Sequence, residues 1–223
     1  DRRFEYHELT KMLAYHTQQS FDRPELKKEI DANQEAQQAI LKTRHVQLET
    51  AVALRTWNNI LPIVDDFQRR LTAFRRWERK PRYQDIAPHW ELLSKVFFGA
   101  ENYKYNAYCL MRNMKFLPEA TPAELQILTS QICLAVLCVP ATTESLIQSH
   151  TRDANQQKDS VLAKAFGIEV SPTREWLMQQ VFAVNTSDLR GKAIIDLATD
   201  DVRAAFHFLA NVSSVLVCRE VHP

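Results

Sequence analysis

The chain has 223 residues, 45% of them apolar and 25% charged, with a formal net charge of +1. These values place it among globular domains long enough to bury a sizeable core. They exclude a polyelectrolyte, so any nucleic-acid contact has to come from a local patch.

Glycine is the compositional outlier: only Gly99, Gly167 and Gly191 occur, against an average usage of about 7%. Tight hairpin turns call on glycine at positive φ, so a multi-stranded sheet is hard to build from this chain, whereas helices with polar turns are not. The densest apolar run, Ile132 to Val139, falls far short of the roughly 20 residues of a membrane span. The chain opens on Asp1 rather than Met and carries no signal peptide, so it reads as a segment of a longer protein. Its four cysteines, Cys109, Cys133, Cys138 and Cys218, include no C-x-x-C pair and sit in apolar, helix-like stretches. They read as reduced core thiols, which points to the cytoplasm.

Apolar residues recur at helical spacing in chain order. Tyr6, Leu9, Leu13 and His16 make a first face, and Leu41, His45, Leu48 and Val52 a second. Ile60, Val64, Phe67, Leu71 and Phe74 follow, then Ile86, Trp90, Leu93 and Phe97. Further on come Leu125, Leu128, Ile132, Ala135 and Val139, and the shorter faces Val161–Phe166 and Leu177, Val181, Val184. Val202, Ala205, Leu209, Val212 and Leu216 close the series. Thr121-Pro122 and Ser171-Pro172 read as cap-plus-first-turn pairs, and Gly167 as a left-handed stop. Pro62 and Pro88 fit early turns if Asn59 and Asp85 cap their helices. About nine helices joined by short turns predict an all-α fold: a right-handed, TPR-like helical-repeat solenoid of stacked antiparallel pairs.

Catalytic and metal-binding patterns fail one by one. Gly191-Lys192 lacks the preceding glycine and the following hydroxyl of a phosphate loop, and His7-Glu8 has Lys11 where a zincin helix needs its second histidine. Adjacent helical residues point about 100° apart. Asp65-Asp66 and Asp200-Asp201 therefore cannot flank one substrate atom and read as helix-surface acids. His45 and His207 read as core histidines, and Trp57, Trp90 and Trp176 as packing residues. No enzyme, cofactor or metal is expected.

One constellation rises above the background. Arg69, Arg70, Arg75, Arg76, Arg79, Lys80 and Arg82 carry seven positive charges against the single acid Glu78, with Trp77 and Tyr83 interleaved. Guanidinium forks grip phosphates and aromatics stack on bases, so the run is a candidate contact for RNA, the ribosome or an acidic protein. The plain alternative is a solvated helix end whose cations complement the helix dipole.

Several motifs, in order, resemble the PCI-type a subunit of eukaryotic translation initiation factor 3. Tyr6-x-x-Leu9-x-x-x-Leu13-x-x-His16 resembles that family's F-x-x-L-x-x-x-L-x-x-H helix, and Leu41-x-Thr43-Arg44-x-x-Gln47-Leu48 its L-E-T-R-x-x-Q-L segment. Trp57 with Val64-Asp65-Asp66 is similar to L-W-Q-E-A-F…V-E-D-I. Val96-Phe97-Phe98 with Asn102, Tyr105 and Ala107 is similar to V-F…N-x-L-F-H-A. Ile132 to Pro140, and Leu162 to Gly167 with Pro172-Thr173-Arg174, complete the series. The basic run is richer in arginine than the family's linker.

The resemblance implies a PCI-type helical-repeat solenoid over 1–182 and, over 183–223, last helices leading into a winged helix that is not in the chain. It implies a non-catalytic scaffold subunit of the factor, helping to assemble it and hold it on the small ribosomal subunit. The implied partners are other subunits, the c subunit first, and ribosomal proteins and rRNA, with no membrane and no small-molecule substrate. A PCI subunit of the proteasome lid or the signalosome, and an RNA-binding helical module using the 69–82 run, are the alternatives.

Overall fold

The computed structural model describes residues 2–56, 60–74, 83–115, 120–140, 159–164, 166–169, 171–184 and 191–220. Among them there are ten helices: α1 (Arg2–Phe21), α2 (Pro24–Ala32), α3 (Gln34–Leu54), α4 (Leu61–Phe74), α5 (Tyr83–Gly99), α6 (Tyr103–Met114), α7 (Pro122–Leu137), α8 (Arg174–Phe182), α9 (Ile194–Leu197) and α10 (Asp200–Glu220). Residues 159–164 are also helical, and no β-strand occurs among the described residues. The all-α class expected from the sparse glycine and the apolar spacing is what the chain adopts. It divides into two compact units, one of residues 1–81 with 164–169, the other of 82–163 with 170–223.

In the first unit α3 packs against α1, α2 and α4. Asn33 ends α2 and caps α3, its side chain accepting from the Glu35 and Ala36 amides at 3.0 and 3.1 Å. Leu48 and Ala51 of α3 and Ile63, Val64 and Phe67 of α4 are buried, and the two helices pack on each other. A buried polar chain runs beside it. The Tyr6 hydroxyl on α1 donates to the Gln47 carbonyl at 3.0 Å, Arg44 Nη1 donates to Gln47 Oε1 at 2.8 Å, and Arg44 Nε donates to Asp66 on α4 at 2.7 Å. Asp66, expected on the surface, is thus half of an ion pair whose side chains are only 9% and 15% exposed. Only one of the two adjacent acids can take this role, because successive helical side chains diverge by about 100°.

The second unit is built on α6, which packs on both α5 and α7 and buries residues 105–111 without a break. Asn102 both receives the end of α5 and caps α6. Asn106 Nδ2 crosses back to the Ser94 carbonyl at 2.7 Å, locking the antiparallel pair. α7 starts on a complete capping box between Thr121 and Glu124, as Thr121-Pro122 predicted. α8 instead takes Thr173 as its cap, two residues after Ser171, because the Thr173 hydroxyl is the one that meets an N3 amide, that of Trp176 at 3.1 Å. The Ser130 hydroxyl accepts the Thr199 amide at 3.0 Å ahead of α10, and Arg203 donates to the carbonyls of Ile195, Asp196 and Ala198.

Other expectations shift. Ile60 sits one residue before α4, so Pro62 falls at the second helical position rather than the third; Asn59 lies outside the described residues. Asp85 is not a cap, since α5 begins at Tyr83 and takes Pro88 into its interior. Gly167 does adopt φ +66 as a stop. Two other stops need positive φ and use no glycine: Arg55 after α3 (φ 53) and Glu101 after α5 (φ 57). In both, the following amide reaches back five residues, Thr56 to Ala51 at 3.0 Å and Asn102 to Phe97 at 2.9 Å, the six-to-one bond of a Schellman end. Cys109 and Cys133 are buried thiols as expected, but Cys138, just past α7, is exposed. Trp90 is core, whereas Trp176 is 39% exposed on α8 with one face against Tyr108. His45 is only partly buried beside Glu49, and His207 lies exposed against the Phe182 ring, because both occupy helix flanks rather than core faces.

Tyr105 is fully buried and ties α6 to two later segments: its hydroxyl donates to the Asp159 carbonyl at 2.9 Å and lies 3.3 Å from the Ser171 hydroxyl. Lys104 pairs with the Asp159 carboxylate alongside. Burial above all pushes the Tyr105 hydroxyl from 10.0 up to about 12.

Three outcomes follow from these contacts. Arg44→Met, which takes the guanidinium away from the largely buried Asp66, should lower the unfolding free energy by about 3–5 kcal/mol in urea titrations, and adding Asp66→Leu should recover part of that loss. Glu101→Gly, relieving a left-handed side chain, should raise it by about 1 kcal/mol in the same titration. The folded state holds the Tyr105 proton more tightly than the unfolded state. Its contribution is therefore complete below pH 10 and is lost as pH climbs from 10 towards 12, so urea midpoints across that range should fall less steeply for Tyr105→Phe than for the parent chain.

Candidate interaction surfaces

Arg69 and Arg70 fall within α4, but their side chains, and all of Arg75, Arg76, Arg79, Lys80 and Arg82, lie outside the described residues. What the described residues offer is a set of helix faces without a covering neighbour. On α1 only Tyr6 is buried, while Phe4, Leu9, Met12 and Tyr15 are more than half exposed, so the expected Leu9 and Leu13 face is not a core face. Phe4, Met12 and Tyr15 instead follow one another at helical spacing along the side away from Tyr6.

In the second unit α5, α6 and α7 enclose an open groove of ≈ 640 Å³. α6 forms its floor with Tyr103, Asn106, Leu110 and Asn113, a spacing of three, four and three that keeps them on one face. One wall is Ser94 and Phe98 of α5, and the other is Ile127, Gln131 and Leu134 of α7, with Cys138 at the end. Phe98, Ile127 and Leu134 stand out to solvent. Charged side chains stand at the rim, one pair and one lone carboxylate. Lys95 pairs with Glu91 at 2.7 Å, and the Glu124 carboxylate is held in the cap of α7 by the Thr121 amide and hydroxyl, both at 2.8 Å, which lowers its pKa.

Asn113 is 5% exposed, and its Oδ1, buried in the floor, has no hydrogen-bond partner. Apolar spacing picks out neither floor asparagine. The signal available in the sequence is the i, i+7 repeat of a carboxamide on a helix that is otherwise apolar and aromatic.

Burial disfavours the thiolate at both core cysteines of this unit. Burial raises the Cys133 thiol to about 12 and drives Cys109 well above 9.0. Among the described residues no three His, Cys, Asp or Glu side chains converge to hold a metal ion, and no helix is long and apolar enough to cross a membrane. The exposed apolar helix faces are suited to binding by surface.

Comparison with known proteins agrees with the motif order. The family model described as eIF3a, PCI domain, TPR-like region matches residues 1–213. Among curated relatives, the A subunit of eukaryotic translation initiation factor 3 from Nicotiana tabacum is 26% identical over 195 residues, covering 85% of this chain and 20% of the relative. The corresponding protein of Nematostella vectensis is 28% identical over 196 residues, covering 82% and 20%. That of Homo sapiens is 28% identical over 162 residues, covering 69% and 11%. The chain thus spans a fifth or less of the length of these relatives, and it belongs to the family of the PCI-domain, TPR-like region found in the A subunit of initiation factor 3.

Proposed function

We propose that this chain is the helical-repeat part of a non-catalytic scaffold subunit of eukaryotic translation initiation factor 3. It helps to assemble the factor in the cytoplasm and to hold it on the small ribosomal subunit during initiation. The observation that carries this reading is the family match over residues 1–213. The exposed apolar side chains of α1 and of the α5–α7 groove support it, because a scaffold works by burying partner surface on rigid helices. Its partners in this reading are other subunits, the c subunit first, together with ribosomal proteins and rRNA. The proteasome-lid and signalosome alternatives lose ground, because the tobacco, sea-anemone and human relatives all carry initiation-factor names.

The basic run supports a second contact within the same reading. Arg69, Arg70, Arg75, Arg76, Arg79, Lys80 and Arg82 put a local charge of seven minus one on a chain whose overall charge is +1. Such a patch would bind phosphates by displacing counterions, a contact that weakens as salt rises.

Two measurements check these statements. The tagged chain should co-sediment with the other subunits of the factor and with small ribosomal subunits; failure to associate with either would remove the scaffold reading. Arg75→Glu, Arg76→Glu and Arg79→Glu together should cut small-subunit affinity by at least about tenfold at low salt and flatten its salt dependence. Unchanged affinity would take the patch out of consideration and leave the scaffold reading in place.

A further inference from the structure

Resting on the scaffold reading, we propose that the groove between α5, α6 and α7 receives an amphipathic helix of another subunit. That helix is apolar along one face and carries a lysine or arginine that reaches Glu124.

The lining selects a helix. Floor and walls are themselves helices, whose main-chain N–H and C=O groups are spent internally. The Asn106 amide is held on the Ser94 carbonyl, and the Asn113 oxygen is sealed beneath the surface. An extended segment would give up the hydration of its backbone here and find few partners in return. A helix arrives with its backbone already bonded and needs only apolar side chains to fill the groove. From Tyr103 to Asn113 the floor measures about 15 Å along α6, close to three turns of a partner helix. On α7, Ile127, Gln131 and Leu134 follow one another at four and three residues, an exposed ridge of the kind that interdigitates with a second helix. Phe98 stands across from them on α5 and is 64% exposed.

Charge selects which helix, and which way it lies. Neighbours joined by short connections run antiparallel, and the bond between Asn106 and Ser94 sets α5 against α6. Glu124, in the first turn of α7, therefore lies at the Asn113 end of the groove, whereas Phe98, Leu134 and Cys138 lie at the Tyr103 end. Between the ends Glu91 and Lys95 neutralise each other, and a pair this exposed contributes little to binding. Glu124 is the charge left over. Both Thr121 bonds fall on its Oε2, and among the described residues no cation pairs with the carboxylate. The bonds from the Thr121 amide and hydroxyl lower its pKa, which keeps it ionised. An acidic segment would meet it as a like charge, while a cation placed at one end of an apolar stripe would gain a partner there.

The test uses the whole 223-residue chain and fluorescein-labelled peptides of about 20 residues tiling the other subunits of the factor, long enough for the three turns of the floor and their ends. Binding is read by fluorescence anisotropy and peptide helicity by circular dichroism. The peptides that bind should carry an apolar stripe with a lysine or arginine at one end of it, gain helicity on binding and lose affinity as salt rises. Glu124→Gln preserves the capping box, since glutamine also serves at that position, and should weaken binding about fivefold at low salt. Replacing the peptide's cation by glutamine should weaken it to the same degree, and the two changes together should cost no more than either alone. Ile127→Asp, on the exposed wall, should weaken binding by about tenfold or more. No binding by any peptide, binding indifferent to Glu124→Gln, or a bound peptide that gains no helicity overturns the proposal. So does concentration-dependent self-association of the chain abolished by Ile127→Asp, which would assign the groove to a second copy. If the chain still co-sediments with the other subunits while no peptide binds, the groove proposal fails and the scaffold reading stands.

Discussion

A buried guanidinium has to be answered, and in the first unit the answer to Arg44 dictates how three helices meet. The Arg44 guanidinium is a charge nearly sealed from water, so a carboxylate has to reach it and the fork has to be filled. Asp66 supplies the charge from α4, Gln47 fills the second position from the same helix as Arg44, and Gln47 in turn receives Tyr6 from α1. Replacing Arg44 or Asp66 alone takes the counter-charge from a nearly buried partner. Apolar packing between α3 and α4 would tolerate small slides of one helix over the other; this chain of bonds fixes the register. The second unit uses a neutral version of the same device, in which the Tyr105 hydroxyl is carried inward to receive segments more than fifty residues away in sequence.

These tethers explain why certain short motifs point so directly to a family. Thr43-Arg44-x-x-Gln47-Leu48 and Val64-Asp65-Asp66 are two halves of one buried network, and Tyr6 belongs to a third motif on the same network. Asn102 and Tyr105 are a cap and a tether, and Thr173 is a cap. Each does a job that few other residue types can do at that position. The helix faces are legible for a different reason: Leu48, Val64, Phe67, Trp90, Leu93, Ile132, Leu177 and Val181 recur at three-and-four spacing and all are buried.

What the sequence hides has physical causes as well. Periodicity says that a residue lies on an apolar stripe, not that a neighbour covers the stripe. That is why Leu9 and Trp176 read as inward-facing and yet stand out to solvent. The role of Asp66 depends on a partner 22 residues away, and a local reading sees only two adjacent acids. The left-handed stops at Arg55 and Glu101 carry no glycine to announce them; the six-to-one bond and the flanking contacts hold the strain instead. The groove escapes a periodicity reading because its signature is a departure from the pattern: two carboxamides on a helix face where the pattern expects aliphatic residues.

That departure also bears on what the second unit is for. Leu110 shows that the groove face of α6 accepts an aliphatic side chain, and Asn106 shows that it accepts a carboxamide with a structural bond. Asn113 has neither excuse. It is buried, its oxygen has no partner, and a leucine of similar size would add apolar contact without the desolvation cost. Where local rules are broken without a gain in stability, the compensation usually lies in function.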